Sequence, residues 1–126
     1  MLKIISLVLL FCINFANAET IVGTVSRVKD GDTFVLKGHS VRLYGINAPE
    51  KNQIGGSAAT NYLRQLVKNQ IVYCTRNGRD KYGRFLGVCK INNKQDISEI
   101  MVKKGYAKPF MSKKYIAKKY IAKNFK

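Results

Sequence analysis

The sequence predicts a mainly β domain of the α+β class: a five-stranded, partly open barrel with two packed helices and a basic helix at the C-terminus. Three observations lead there. Five short runs rich in apolar and β-branched residues are separated by turns carrying Gly and Asp. Two stretches with helical spacing follow the third and the fifth run, and a lysine-rich repeat closes the chain.

Residues 21–30 alternate loosely from Val22 onward and read as a strand, and Asp30-Gly31-Asp32 turns the chain into Thr33-Phe34-Val35-Leu36-Lys37. Gly38-His39-Ser40 makes the next turn, with His39 exposed in it, and Val41-Arg42-Leu43-Tyr44-Gly45 completes a meander. Ser57 is placed to cap a helix whose Ala59, Leu63, Leu66 and Val67 share one face. Residues 71–74 and 85–91 form a second hairpin around the polar, basic stretch 75–84. Asp96 and Glu99 are a capping pair for a short helix bearing Ile97, Ile100 and Met101, with Gly105 as its stop. Three strands, a helix, two strands and a helix in this length suit a barrel of the OB type.

The charge narrows the function. Against 23 Lys and Arg stand 7 Asp and Glu in 126 residues, a formal net charge of +16. Solubility asks for a magnitude of only about 2 to 8 in a small domain, so the excess points to a polyanionic partner. Residues 1–18 read as a signal peptide: Lys3, an apolar stretch, then Ala16-Asn17-Ala18 as a small-x-small cleavage signal. Its removal takes away one cation and no acid, leaves 19–110 as the domain, and implies export to a periplasm or the outside. In an oxidising compartment the remaining Cys74 and Cys89 favour a disulfide, closing a loop worth about 3 kcal/mol in the chain-entropy model. Two buried free thiols are the alternative. In 111–126, Lys-Lys-Tyr-Ile-Ala occurs twice, which predicts a basic amphipathic helix that docks on the barrel or touches nucleic acid or a membrane.

The chemistry-bearing residues are weak singly and informative together. Asp32, Glu50, Arg42 and Arg84 supply two carboxylates and two guanidiniums at the ends of neighbouring elements. Phosphodiester hydrolysis needs this set: oxygens for a hard cation, a carboxylate to direct water, and arginine forks for the charge building on phosphorus. No Ser/His or Cys/His constellation is visible, which counts against serine-triad and thiol hydrolases.

Val28-Lys29-Asp30-Gly31-Asp32-Thr33, then residues 41–50 ending Asn47-Ala48-Pro49-Glu50, then Asp80-Lys81-Tyr82-Gly83-Arg84, closely resemble the staphylococcal nuclease (thermonuclease) family in order and spacing. The resemblance covers nearly all of residues 21–110. It implies a Ca2+-dependent nuclease acting on DNA and RNA that leaves a 3'-phosphate. Single strands are expected as the favoured partner, and a monomer as the working form. It further implies Arg42, Glu50 and Arg84 as the catalytic trio, Asp32 and the Ala48 carbonyl as calcium ligands, and Lys81 and Tyr82 as the grip on a terminal phosphate. Asn47 stands where the family pattern usually has a second metal-binding aspartate, so weaker metal affinity is expected. Met111 and Lys113 replace expected stacking tyrosines. The rival reading is a catalytically weak or inactive barrel that binds single-stranded nucleic acid. A third is a cationic, membrane-active protein.

Overall fold

The computed structural model describes residues 18–110; nearly all of the targeting segment and the whole C-terminal repeat lie outside them. Strands β1 (Thr20–Gly23), β2 (Val25–Asp30), β3 (Thr33–Leu36), β4 (His39–Leu43) and β5 (Ile46–Asn47) precede helix α1 (Gly56–Val67). Strands β6 (Val72–Arg79), β7 (Phe85–Ile91) and β8 (Gln95–Asp96), helix α2 (Ile97–Lys103) and β9 (Lys108–Pro109) follow.

The main sheet pairs in the order β1, β6, β7, β4, β3, β2. Its two ends are successive in the chain and separated only by Thr24, so one bent run lines both edges and the sheet curls back on itself. Counted as halves of one strand, β1 and β2 restore the five strands read from the sequence. The departure from a simple meander is physical: β1 gives its hydrogen bonds to β6, with Ile21 opposite Cys74, while β2 gives its own to β3. β4 runs parallel to β7, placing Arg42 beside Leu86, and α1 lies within the long connection such pairing requires. The two-residue strands β5, β8 and β9 were not foreseen, since pairs that short depend on tertiary contacts.

Phe34, Leu36, Val41, Leu43, Leu63, Val72, Ile97 and Met101 are fully buried within the curl, each worth about 1.5–3 kcal/mol relative to exposure. α1 buries Ala59, Leu63 and Val67 as its spacing predicts, with Leu66 half-buried. Ser57 is not its cap. The N-cap is Gly55 at φ 80°, without a side-chain hydrogen bond, because the preceding turn enters through a left-handed residue. α2 follows expectation: the Asp96 carboxylate accepts the Glu99 N–H at 3.1 Å, and Gly105 at φ 80° comes just after the helix. His39 is half-buried at the start of β4, its ring 5.9 Å from that of Phe85, rather than exposed in a turn. Cys74 and Cys89 are register partners on β6 and β7, fully buried and joined by a disulfide. Among the described residues no helix is long and apolar enough to cross a membrane.

Candidate phosphate-binding cleft

Arg42 alternates with the buried Val41 and Leu43 on β4, so its side chain leaves the core on the opposite face. Its guanidinium donates to the Leu43 carbonyl at 3.3 Å, the Ile46 carbonyl at 3.0 Å and Asn47 Oδ1 at 3.4 Å, and lies 3.7 Å from Asp32 Oδ2. One side chain thus clamps the corner between β4 and β5.

Asp32 holds the same corner from the other side. Only 5% exposed, it accepts the Thr33 hydroxyl at 2.9 Å through Oδ1 and the Ala48 N–H at 2.8 Å through Oδ2. The turn reaches this position because its centre is Gly31: a Cβ there would lie 2.7 Å from that of Ala59 and 2.8 Å from that of Ala48. Asp30 accepts the Asp32 N–H at 3.1 Å. Burial, then the neighbouring Asp32 carboxyl, push Asp30 up to about 6. The sequence reading treated Asp30 as part of a turn; its Asp-x-Asp spacing was the available signal.

The connection from β6 to β7 is organised by Asp80. Its carboxylate accepts the backbone N–H groups of Tyr82 at 2.9 Å and Arg84 at 2.8 Å, and pairs with the Arg84 guanidinium. Burial alone raises this carboxyl, but those hydrogen bonds and the Arg84 charge outweigh it and hold Asp80 below its ordinary value. Arg84 is thereby aimed by its own loop. Tyr82, 71% exposed, has the Lys81 ammonium 5.1 Å and the Arg84 guanidinium 5.5 Å from its ring centre.

A cleft of about 510 Å³ is lined by Arg42, Tyr44, Gly45, Asp80, Lys81, Tyr82, Arg84, Leu86 and Phe110. Four expected residues, Arg42, Lys81, Tyr82 and Arg84, therefore meet in one place. Asp32 and Asn47 join it through Arg42, and Ala48 through Asp32. Glu50 is exposed at the start of the turn before α1, where its N–H donates to Gln53 Oε1 at 2.8 Å and its carbonyl accepts the Gln53 N–H at 2.8 Å. No hydrogen bond or ion pair joins its carboxylate to the other site residues. The turn sits against Gly56, where a Cβ would fall 1.7 Å from the Glu50 carbonyl oxygen. Phe110 was missed: 63% exposed, it donates its N–H to the Gly45 carbonyl at 2.8 Å and has Arg42 6.0 Å from its ring centre. An aromatic residue directly after Pro109, at the end of the predicted domain, was its sequence signal.

The donor set suits a hard divalent cation. Asp30 and Asp32 crowd two carboxyls together at a cost that a cation beside them would relieve, and the Asn47 amide adds a neutral oxygen. No group of three or more His, Cys, Asp or Glu side chains assembles among the described residues, so amide and backbone oxygens would have to complete the coordination.

A curled OB-type barrel whose arginine-bearing, aromatic-edged cleft adjoins a buried Asp32 with a half-buried Asp30 beside it defines a narrow class of small domains. Within it, the chain belongs to the staphylococcal nuclease homologue family, whose model matches residues 40–124. An uncharacterized endonuclease of Escherichia coli O157:H7 is 38% identical over 89 residues, covering 68% of this chain and 58% of the relative. One of Haemophilus influenzae is 39% identical over 108 residues, covering 81% of this chain and 60% of the relative. A micrococcal nuclease of Shigella flexneri is 39% identical over 97 residues, covering 68% and 56%. The chain thus spans little more than half the length of these relatives.

Proposed function

We propose that the protein is an exported, Ca2+-dependent nuclease that hydrolyses DNA and RNA with little sequence preference and leaves 3'-phosphate ends. The observation that carries this reading is the meeting of Arg42 and Arg84 in one cleft beside Asp32. Two guanidiniums held by backbone carbonyls and by Asp80 are organised before substrate arrives, which is what electrostatic stabilisation of a five-coordinate phosphorus requires. The relatives named endonuclease and micrococcal nuclease support the same chemistry.

In this reading a backbone phosphate enters between Arg42 and Arg84, whose forks bind its non-bridging oxygens and neutralise the charge that develops on them. Glu50 takes a proton from the attacking water, the water oxygen bonds to phosphorus as the bond from phosphorus to the 5'-oxygen breaks, and the leaving oxygen gains a proton from solvent. Lys81 and Tyr82 hold a neighbouring terminal phosphate. Asp32, Asn47 and the Ala48 carbonyl would hold the calcium ion, which when bound supplies positive charge to polarise the phosphate.

The test is degradation of single-stranded DNA by the purified chain, with end analysis of the products. Calcium-dependent cleavage to 3'-phosphates, abolished by a chelator and by Glu50→Gln, is expected. Salt-sensitive binding without cuts would replace this reading with that of a binding module. Recovery outside the cytoplasm of a product beginning at Glu19 tests export.

A further inference from the structure

The face of β7 that begins just after Arg84 does not stop at the cleft. Phe85, Gly87, Cys89 and Ile91 point into the core, while Leu86, Val88 and Lys90 alternate with them on the other side. Leu86 lines the cleft already described; Val88 and Lys90 line a second groove of about 640 Å³, together with Thr20, Tyr73, Thr75 and Arg76. The register explains this grouping: Thr20 lies opposite Thr75, Thr75 opposite Val88, and Tyr73 opposite Lys90 across β1, β6 and β7. At about 3.3 Å per residue, Lys90 is roughly 13 Å along the strand from Leu86.

The geometry points to this second groove as a track for a single polynucleotide strand continuing from the cleft. The inference rests on the function proposed above and extends it. Half-buried Tyr73 and Val88 supply an apolar floor, the threonine hydroxyls can reach sugar and phosphate oxygens, and Arg76 and Lys90 offer cations. No carboxylate lines the groove among the described residues. Glu19 pairs with Arg76 at 3.3 Å at one end, in an exposed contact that a phosphate can replace, and Asp96 lies opposite Lys90 in the pairing of β7 with β8. The placement of Leu86 of the cleft and Val88 of the groove on one face of β7, with cations and no carboxylate in the groove lining among the described residues, favours a polyanionic strand over an uncharged partner.

The experiment compares the full chain with Tyr73→Ala and Lys90→Gln in chelator, measuring fluorescence anisotropy with a trinucleotide and with single-stranded DNA of about 20 nucleotides, longer than one OB barrel usually spans. Tyr73→Ala is expected to weaken binding of the long strand about fivefold or more. The exposed Lys90→Gln is expected to reduce its salt slope by about 1. Neither should alter trinucleotide binding, and melting curves verify that both variants fold. Wild-type affinity of both variants for the long strand, alongside weakened binding by Arg84→Ala, would overturn the track and leave the cleft intact. An equal loss on both oligomers would also overturn it. Failure of the wild-type chain to bind the long strand would overturn the track, while the calcium-dependent cleavage assay decides the functional reading separately.

Discussion

The Arg42 guanidinium stands 3.7 Å from the Asp32 carboxylate while its hydrogens hold the carbonyls of Leu43 and Ile46. The same side chain therefore supplies charge to the cleft and fixes the corner carrying Asn47 and Ala48. A lysine keeps the charge but has no planar fork to span these acceptors. Arg42→Lys is expected to lower kcat by about 10² to 10³, as for loss of an oxyanion donor, and to lower Tm. Steady-state kinetics and melting curves check this; a fully active lysine variant would rule out the clamp.

Glu50 depends on a residue with no side chain. Because a Cβ at Gly56 would collide with the Glu50 carbonyl oxygen, Gly56→Ala must move the turn before α1, at about 1–3 kcal/mol if it follows other overpacked sites. Cleavage should fall by an order of magnitude or more while oligonucleotide affinity in chelator stays near wild type. Matching losses of affinity and cleavage would show that the damage extends beyond the Glu50 turn.

The Asp30 carboxyl makes the stability of the metal-free protein depend on pH. Its folded value is about 6 against an ordinary 3.8, so this contribution is full below about pH 4 and is lost as pH rises through 6. In chelator, Tm should therefore carry a component that falls over this window, and Asp30→Asn should remove it. Added calcium favours the ionised pair and should offset the loss at neutral pH. A Tm profile unchanged by Asp30→Asn would contradict the assignment.

Asp80 works in the opposite direction. Its carboxyl is held below the ordinary value, so its contribution is present above about pH 4 and is lost as pH falls through its lower folded value. Asp80→Asn should cost about 1 kcal/mol, since the Arg84 side chain is one-third exposed and solvent screens the pair. Freed from its loop, Arg84 should sample more orientations, lowering kcat more than it raises KM. Kinetics at neutral pH distinguish this from a general loss of fold.

The buried disulfide ties β6 to β7 beneath the second groove. Reduction, or replacement of Cys74 and Cys89 together by alanine, is expected to cost about 2–4 kcal/mol. Urea unfolding with and without reductant should show the midpoint shift. No shift in reductant would mean that the bridge adds no stability.

Legibility followed the range of the interactions. The Asp96 cap, the Gly105 stop and the buried stripe of α1 depend on residues within a few positions of one another, and all three were readable. Ser57 looked like a cap by the same logic, but the cap falls at Gly55, where the Glu50 turn packs against Gly56. The cysteine pair was legible as a pair, while its position at facing places of one hairpin came from register. Phe110 and Asp30 were missed because each matters only through what the fold brings beside it.

By itself the sequence determined the five longer strands, with β1 and β2 counted as one, and both helices, the sign and size of the charge, and the residue types available for phosphate chemistry, because these follow from local spacing and composition. Tertiary structure decided that the first run bends at Thr24 to line both edges of the sheet, and that Arg42 and Arg84 face one cleft. That convergence comes from parallel pairing of β4 with β7 over a shared core, whose stability arises from apolar surface contributed by distant parts of the chain. No local pattern encodes which distant surfaces will be buried together.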